Sequence, residues 1–168
     1  MLGRALSIAA LTLLGLPVAG QANPGDPLVQ TVTSDVRDCR SGWNADMPLI
    51  AWGADGVVAW ANGASLSPNG GLLGDAGLSL TLQVEDNFEA QLEAYLACET
   101  PYLRGTLGML AAAAPVTEDD PRTEQIVIYK HSFSAGDGIV GGEGVRQIGD
   151  LAGQRIAIQA NGPHVDFV

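Results

Sequence analysis

Residues 78–96 constrain the fold most tightly. Leu78-Ser79-Leu80-Thr81-Leu82-Gln83-Val84 alternates apolar and polar side chains. Successive side chains on a strand point to opposite faces, so this pattern predicts a half-buried strand. Asp86-Asn87-Phe88-Glu89 follows as a capping-box-like helix start. Phe88, Leu92, Tyr95 and Leu96 then recur at i, i+4, i+7 and i+8, which predicts an amphipathic helix. A strand that runs straight into a helix is the repeating unit of α/β architecture.

The remaining chain reads as more of the same. Met47-Pro48-Leu49-Ile50-Ala51-Trp52 predicts a first strand, ended by Gly53. Ala54–Asn62 predicts a short helix that stops at Asn62-Gly63, a helix C-terminal signal. Residues 65–77 form a glycine-rich loop or weak helix. Residues 101–114 predict a helix that starts near Arg104-Gly105-Thr106 and runs through four alanines. Pro115 and the acidic Glu118-Asp119-Asp120-Pro121 segment should end it. Gln125-Ile126-Val127-Ile128-Tyr129 is a strongly β-prone run. Ile139-Val140 offers a short strand, residues 145–151 a connector or short helix, and Arg155–Gln159 a last strand. Asn161-Gly162-Pro163 then turns into the first residues of a helix. This order predicts an α/β fold with a mainly parallel sheet flanked by helices.

Both ends carry information about destination. Met1-Leu2-Gly3-Arg4, the apolar stretch Ala5–Ala19 and the small residues around Ala22 make a secretory signal peptide over residues 1–22. The apolar run is shorter than the ~20 residues needed to span a bilayer, and no later stretch is long enough. The polar residues 23–46 read as a loosely ordered N-terminal arm. Val168 follows directly on a helix start, so the chain is expected to be part of a longer protein whose remainder packs against what is here. The expected location is therefore periplasmic or secreted. Loss of Arg4 with the signal takes the net charge from −11 to −12. Such an acidic chain excludes partners that need clustered Lys and Arg, namely nucleic acid and anionic membrane. In an exported chain Cys39 and Cys98 are either bridged or a pair of half-buried thiols. Neither Cys-x-x-Cys nor a His/Cys cluster with metal-ligand spacing occurs, so no metal is expected.

Several segments suggest chemistry. Gly136-Asp137-Gly138-Ile139-Val140-Gly141 has the letters of a dinucleotide loop, but no helix pattern opens after it, so a glycine-rich turn is the better reading. Ser132-Phe133-Ser134-Ala135-Gly136 lacks the first glycine of a nucleophile elbow. His131 adjoins Ser132, and His164 with Asp166 lies downstream, so an exported serine hydrolase stays open as an alternative. Three strand-to-helix junctions look alike: Trp52-Gly53-Ala54-Asp55, Tyr102-Leu103-Arg104-Gly105-Thr106 and Gln159–His164. Ligands of open parallel sheets sit at such junctions, beyond the carboxyl ends of the strands. Arg104 there could grip a carboxylate, sulfonate or phosphate, or could instead pair with an acid of the protein.

The stretches Pro48–Asp55, Asp75–Leu78, Pro101–Met109 and Asp150–Gln159, with Gly162–Asp166, resemble periplasmic substrate-binding proteins of ABC transporters, most of all the nitrate/sulfonate/taurine and thiamine-precursor branch. The resemblance implies that 47–160 is the first lobe of a type II clamshell and 161–168 the start of the second, closing over a small polar organic or anionic solute and docking on a membrane permease. It implies no cofactor and no bond-making chemistry. It assigns solute contacts to Trp52, Gly53, Asp55, Arg104, Gly105, Thr106, Ser134, Asn161 and His164. Clamshell lobes also serve as extracellular sensor modules, which is a second alternative. Asp55 would disfavour an anion nearby unless it pairs with Arg104.

Overall fold

The computed structural model describes residues 26–39, 44–131, 140–159 and 161–162. The predicted signal peptide, residues 1–22, lies outside them. Their elements are α1 (Leu28–Thr31), β1 (Asn44–Leu49), a 3-10 turn (Gly53–Asp55), α2 (Gly56–Ala61), α3 (Gly71–Asp75), β2 (Ser79–Val84), α4 (Phe88–Leu96), α5 (Leu107–Thr117) and a second 3-10 turn (Ile148–Leu151). β1 and β2 pair in parallel, with Asn44 opposite Ser79 and Leu49 opposite Val84. Helices α2 and α3 make the crossover that parallel neighbours require. The protein is therefore α/β, with a two-stranded parallel sheet among the described residues.

The predicted βα unit is present nearly as read. The alternation in β2 buries Leu80 and Leu82 against Leu49 and Val58. Asn87, rather than Asp86, caps α4: its Oδ1 accepts from the N–H groups of Glu89 (2.9 Å) and Ala90 (3.3 Å). Two donors that the first helical turn cannot satisfy are thereby paired. Phe88, Leu92 and Leu96 are buried, with Tyr95 packed beside them, in a second cluster completed by Leu28, Met109 and Ala113. α2 ends at Ala61, and Gly63 takes the left-handed conformation (φ 76°) that follows such a stop.

Elsewhere the structure departs from the reading. β1 begins at Asn44 and ends at Leu49, before Trp52. α5 does not stop at Pro115 but continues to Thr117. Proline removes the N–H that would serve the Ala111 carbonyl, and both residues lie on the exposed side of the helix, where water can serve it instead. Residues 125–129 and 155–159 belong to no strand. Ile126 is 81% exposed, and Val127, Ile128 and Tyr129 are exposed with it. β-propensity describes how well a side chain fits a pleated, partnered surface, and it cannot create a ladder where no neighbouring strand lies alongside. The extended sheet predicted from the order of elements is thus not formed by the described residues. Within 145–151 only the 3-10 turn forms, held by the Asp150 carboxylate, which accepts from the N–H groups of Arg146 (2.9 Å) and Gln147 (3.2 Å).

The polar N-terminal segment is anchored at several points. Leu28 is buried in the α4–α5 cluster, and Val32 and Val36 pack around it. The Arg37 N–H donates to the Leu96 carbonyl (2.9 Å). Arg122 bridges Asp38 (2.7 Å) and Asp120 (2.6 Å) on the surface. Cys39 is bridged to Cys98, their Cα atoms 5.0 Å apart. Cys98 follows the C-cap of α4 with φ 57°, a position where glycine is usual. There the Glu99 N–H closes the helix end by donating to the Ala94 carbonyl (2.9 Å).

The bridge joins residues 59 apart in sequence, and a loop of that size implies roughly 4 kcal/mol of unfolded-state entropy. Reduction, or Cys39→Ser with Cys98→Ser, is expected to lower the urea-unfolding free energy by about 2–5 kcal/mol. An unchanged midpoint after complete reduction would show that the bridge adds no stability.

Candidate functional site

The site is built where β1 and β2 end. The Glu85 N–H donates to the Leu49 carbonyl (2.8 Å), extending the strand pairing by one bond. Asp86, next along, accepts the Ala51 N–H on Oδ1 (2.7 Å) and so fixes the chain leaving β1. That chain turns at Trp52, whose carbonyl accepts the Asp55 N–H (3.0 Å). The tight turn carries Asp55 inward, to 2% exposure.

Arg104 arrives from the other side on a segment with its own anchors. Thr100 Oγ1 donates to the Asp46 carbonyl of β1 (2.6 Å) and accepts the Tyr102 N–H (3.1 Å). Buried Gln91 of α4 accepts the Arg104 N–H on Oε1 (3.1 Å) and donates from Nε2 to the Glu85 carbonyl (2.7 Å). One amide therefore ties the end of β2 to the backbone of Arg104. The guanidinium, on a residue 8% exposed, meets Asp55 through two parallel bonds. Nε donates to Oδ1 (2.9 Å) and Nη2 to Oδ2 (2.8 Å).

Two further groups extend this pair. The Trp52 ring, 45% exposed, lies 5.5 Å from the Arg104 Cζ, within cation–π range. His131 Nδ1 is 3.7 Å from Asp55 Oδ1 and has no hydrogen-bond partner although it is buried. Its ring lies against Tyr129, centroids 4.9 Å apart. Tyr129, His131, Asp55, Arg104 and Trp52 thus form one continuous series of contacts. Burial, and then the charge of Arg104, hold the His131 imidazole below its ordinary pKa, while Asp55 and the Ala54 carbonyl act more weakly in the opposite direction. Beside the series is a groove of about 600 Å³, walled by Met47, Trp52, Tyr102, Arg104, Tyr129 and His131 among others.

The residues named from sequence take different places. Trp52, Arg104, Gly105 and Thr106 line the groove. Gly53 opens the 3-10 turn, and Asp55 lies beneath Arg104. Gly105 packs tightly, since a Cβ there would stand 2.9 Å from the Phe88 ring. Thr106 caps α5, accepting the Met109 N–H on Oγ1 (3.2 Å). Asn161 has a left-handed backbone (φ 50°). Nearby, Gln159 Nε2 donates to the Asp86 carbonyl (3.0 Å), which brings that segment to the ends of the strands. Ser134 and His164, with Ser132, lie outside the described residues. Among the described residues, no group of His, Cys, Asp and Glu is arranged to hold a metal. No helix there is long and apolar enough to cross a membrane.

Sequence reasoning missed His131 and Tyr129 as parts of the site. They close a run that reads as a strand, and a lone histidine beside a serine has no spacing that singles it out. No family model, curated protein or solved structure matches this chain.

Removing one member of a buried ion pair strands the other, so Asp55→Ala or Arg104→Ala is expected to cost about 3–5 kcal/mol. Replacing both together, Asp55→Leu with Arg104→Met, should cost much less than the sum of the single changes. Equilibrium unfolding in urea makes the comparison, and additive losses would contradict the coupling. His131 adds a pH term. Its folded pKa is lowered, so the unfolded chain takes up a proton at a pH where the folded chain does not. Stability from this group is complete above the unfolded value of about 6.5 and is lost as pH falls toward the lowered folded value. His131→Asn should flatten that part of the stability–pH curve, and an unchanged curve would assign the slope to other groups.

Proposed function

We propose that this chain is the first lobe of an exported solute-binding protein that serves an ABC-type importer and delivers a small polar organic or anionic solute to a membrane permease. The observation that carries the reading is the groove at the carboxyl ends of two parallel strands, where an exposed Trp52 stands beside the buried Asp55–Arg104 pair. Solutes of open α/β sheets bind at that end. An aromatic face with a few fixed polar groups is the usual lining of a small-molecule site. The likeness of Pro48–Asp55 and Pro101–Met109 to substrate-binding proteins supports the same reading. In it, Trp52 stacks on the solute, and Arg104 and the loop through Gly105 and Thr106 supply hydrogen bonds. The lobe binds and releases its solute without breaking bonds.

The test is a panel of nitrate, methanesulfonate, taurine and a neutral aminopyrimidine, read by thermal unfolding and by tryptophan fluorescence. A solute held in the groove at a hundred times its Kd should stabilise the fold by about 2.7 kcal/mol. Trp52→Ala should weaken that solute by at least about tenfold, or 1.4 kcal/mol. Trp60→Ala, exposed on α2 and not part of the groove lining, should leave the affinity unchanged. If no member of the panel stabilises the protein, or if Trp60→Ala acts as strongly as Trp52→Ala, the groove is not the solute site.

A further inference from the structure

Asp55 Oδ1 faces two nitrogens. Arg104 Nε is bonded to it at 2.9 Å, and His131 Nδ1 lies unbonded at 3.7 Å, with the Ala54 carbonyl as a second acceptor facing the imidazole. A protonated Nδ1 needs to move less than an ångström to reach hydrogen-bond distance. The Arg104 fork lies on the groove wall and is of the right shape to take a planar or tetrahedral anion by two parallel bonds. At present that fork is turned to Asp55. The carboxylate can release Arg104 only if another cation replaces it, because a buried carboxylate left alone is costly.

We propose that Asp55, Arg104 and His131 form a proton-coupled anion site: an anionic solute group draws the Arg104 fork away from Asp55, and His131 takes up one proton and pairs with the carboxylate instead. The charges balance. Before binding, Asp55 and Arg104 cancel and His131 is neutral. After binding, the anion and the proton cancel as well. One anion therefore enters with one proton, and the triad counted together with its bound anion carries no net charge. This deepens the solute-binding reading of the same groove and rests on it. The lowered pKa of His131 accords with it, since burial and Arg104 are what hold the proton off.

The groups that bear on His131 come from each neighbouring element. Asp55 faces it from the 3-10 turn and Arg104 from the segment before α5. From its own segment Tyr129 lies against it at a tilt of 58°, with Lys130 between them in sequence. Tyr95 of α4 and Glu124 line the same groove. Burial raises the Tyr95 pKa, so that phenol stays protonated near neutrality. His131 is the group of this set whose ordinary titration lies nearest neutral pH.

The experiment uses methanesulfonate and nitrate, which stay ionised throughout the range, with the full mature chain. The His131 imidazole is titrated by NMR with and without each anion. Calorimetry in buffers of different ionisation enthalpy counts protons taken up on binding. The expected result is an upward shift of the His131 pKa with anion. Anion affinity should also rise by about tenfold per pH unit as pH falls from the shifted value toward the value without anion, the reciprocal demanded by linkage. In His131→Asn, whose amide N–H can serve Asp55 without titrating, affinity should become independent of pH. If that variant does not fold, the proton count on the unaltered chain decides. Anion binding without proton uptake, or uptake that persists in His131→Asn, overturns the coupling and leaves the groove as a solute site. Binding confined to taurine or the aminopyrimidine does the same. No binding by any probe overturns both readings.

Discussion

The Asp55–Arg104 pair holds together two halves that otherwise have separate cores. One apolar cluster joins the sheet to α2 through Leu49, Leu80, Leu82 and Val58. The other joins α1, α4 and α5 through Leu28, Phe88, Leu92, Leu96, Met109 and Ala113. Asp55 immediately precedes α2, and Arg104 stands just before α5. Burying two charges has a desolvation cost that an apolar pair would avoid. What the ion pair adds is direction. Two parallel bonds between a planar fork and a carboxylate admit few arrangements, whereas apolar surfaces slide. The neighbouring buried polar groups act alike. Gln91 links β2 to Arg104, Thr100 links β1 to Tyr102, and Asn62 donates from the end of α2 to carbonyls including that of Leu80 in β2. Between the clusters, the joint is largely hydrogen-bonded.

That division explains how much could be read from the residues. Where a single apolar face sets the element, the pattern sufficed: the alternation of β2, the spacing of Phe88, Leu92 and Leu96, and the Asn62-Gly63 stop all correspond to what is found. Where the decision is tertiary, the pattern misled. The run Ile126–Tyr129 has every local feature of a strand, yet it is exposed and pairs with no strand among the described residues. Pro115 breaks helices by removing one donor, but on an exposed side that loss is small, and α5 passes through it. Boundaries were displaced for a related reason. β1 stops before Trp52 because the register with β2 ends at Val84, a fact of its partner rather than of its own residues.

The site was legible in part. Glycine and charge at the junctions pointed to Trp52, Asp55, Arg104 and Thr106, and the structure gathers them near the strand ends. Their individual duties were not legible. Thr106 serves its own helix as a cap, and Gly105 is small because Phe88 lies against it. Asp55 faces Arg104 rather than the groove. His131 joins them from 76 positions beyond Asp55 in the chain, and no motif spans such a distance. A pair that is balanced and hidden in the folded state leaves a trace in sequence only as two unremarkable charges.

The bridge between Cys39 and Cys98 closes a ring of backbone that contains β1, α2, α3, β2 and α4 in their entirety. α1 and α5 lie outside the ring, on the chain's two departing arms, and meet each other across α4 through Leu28, Met109 and Ala113. A protease that cuts one bond in the exposed loop around Asn69 opens the ring without releasing either piece. The two halves of the crossover stay joined through sulfur, and the strands keep their register. A cut in the acidic turn after α5 meets no such safeguard, because no disulfide ties the described residues beyond it to the rest. The covalent topology therefore sorts the surface into loops where a nick is survivable and segments where it is not.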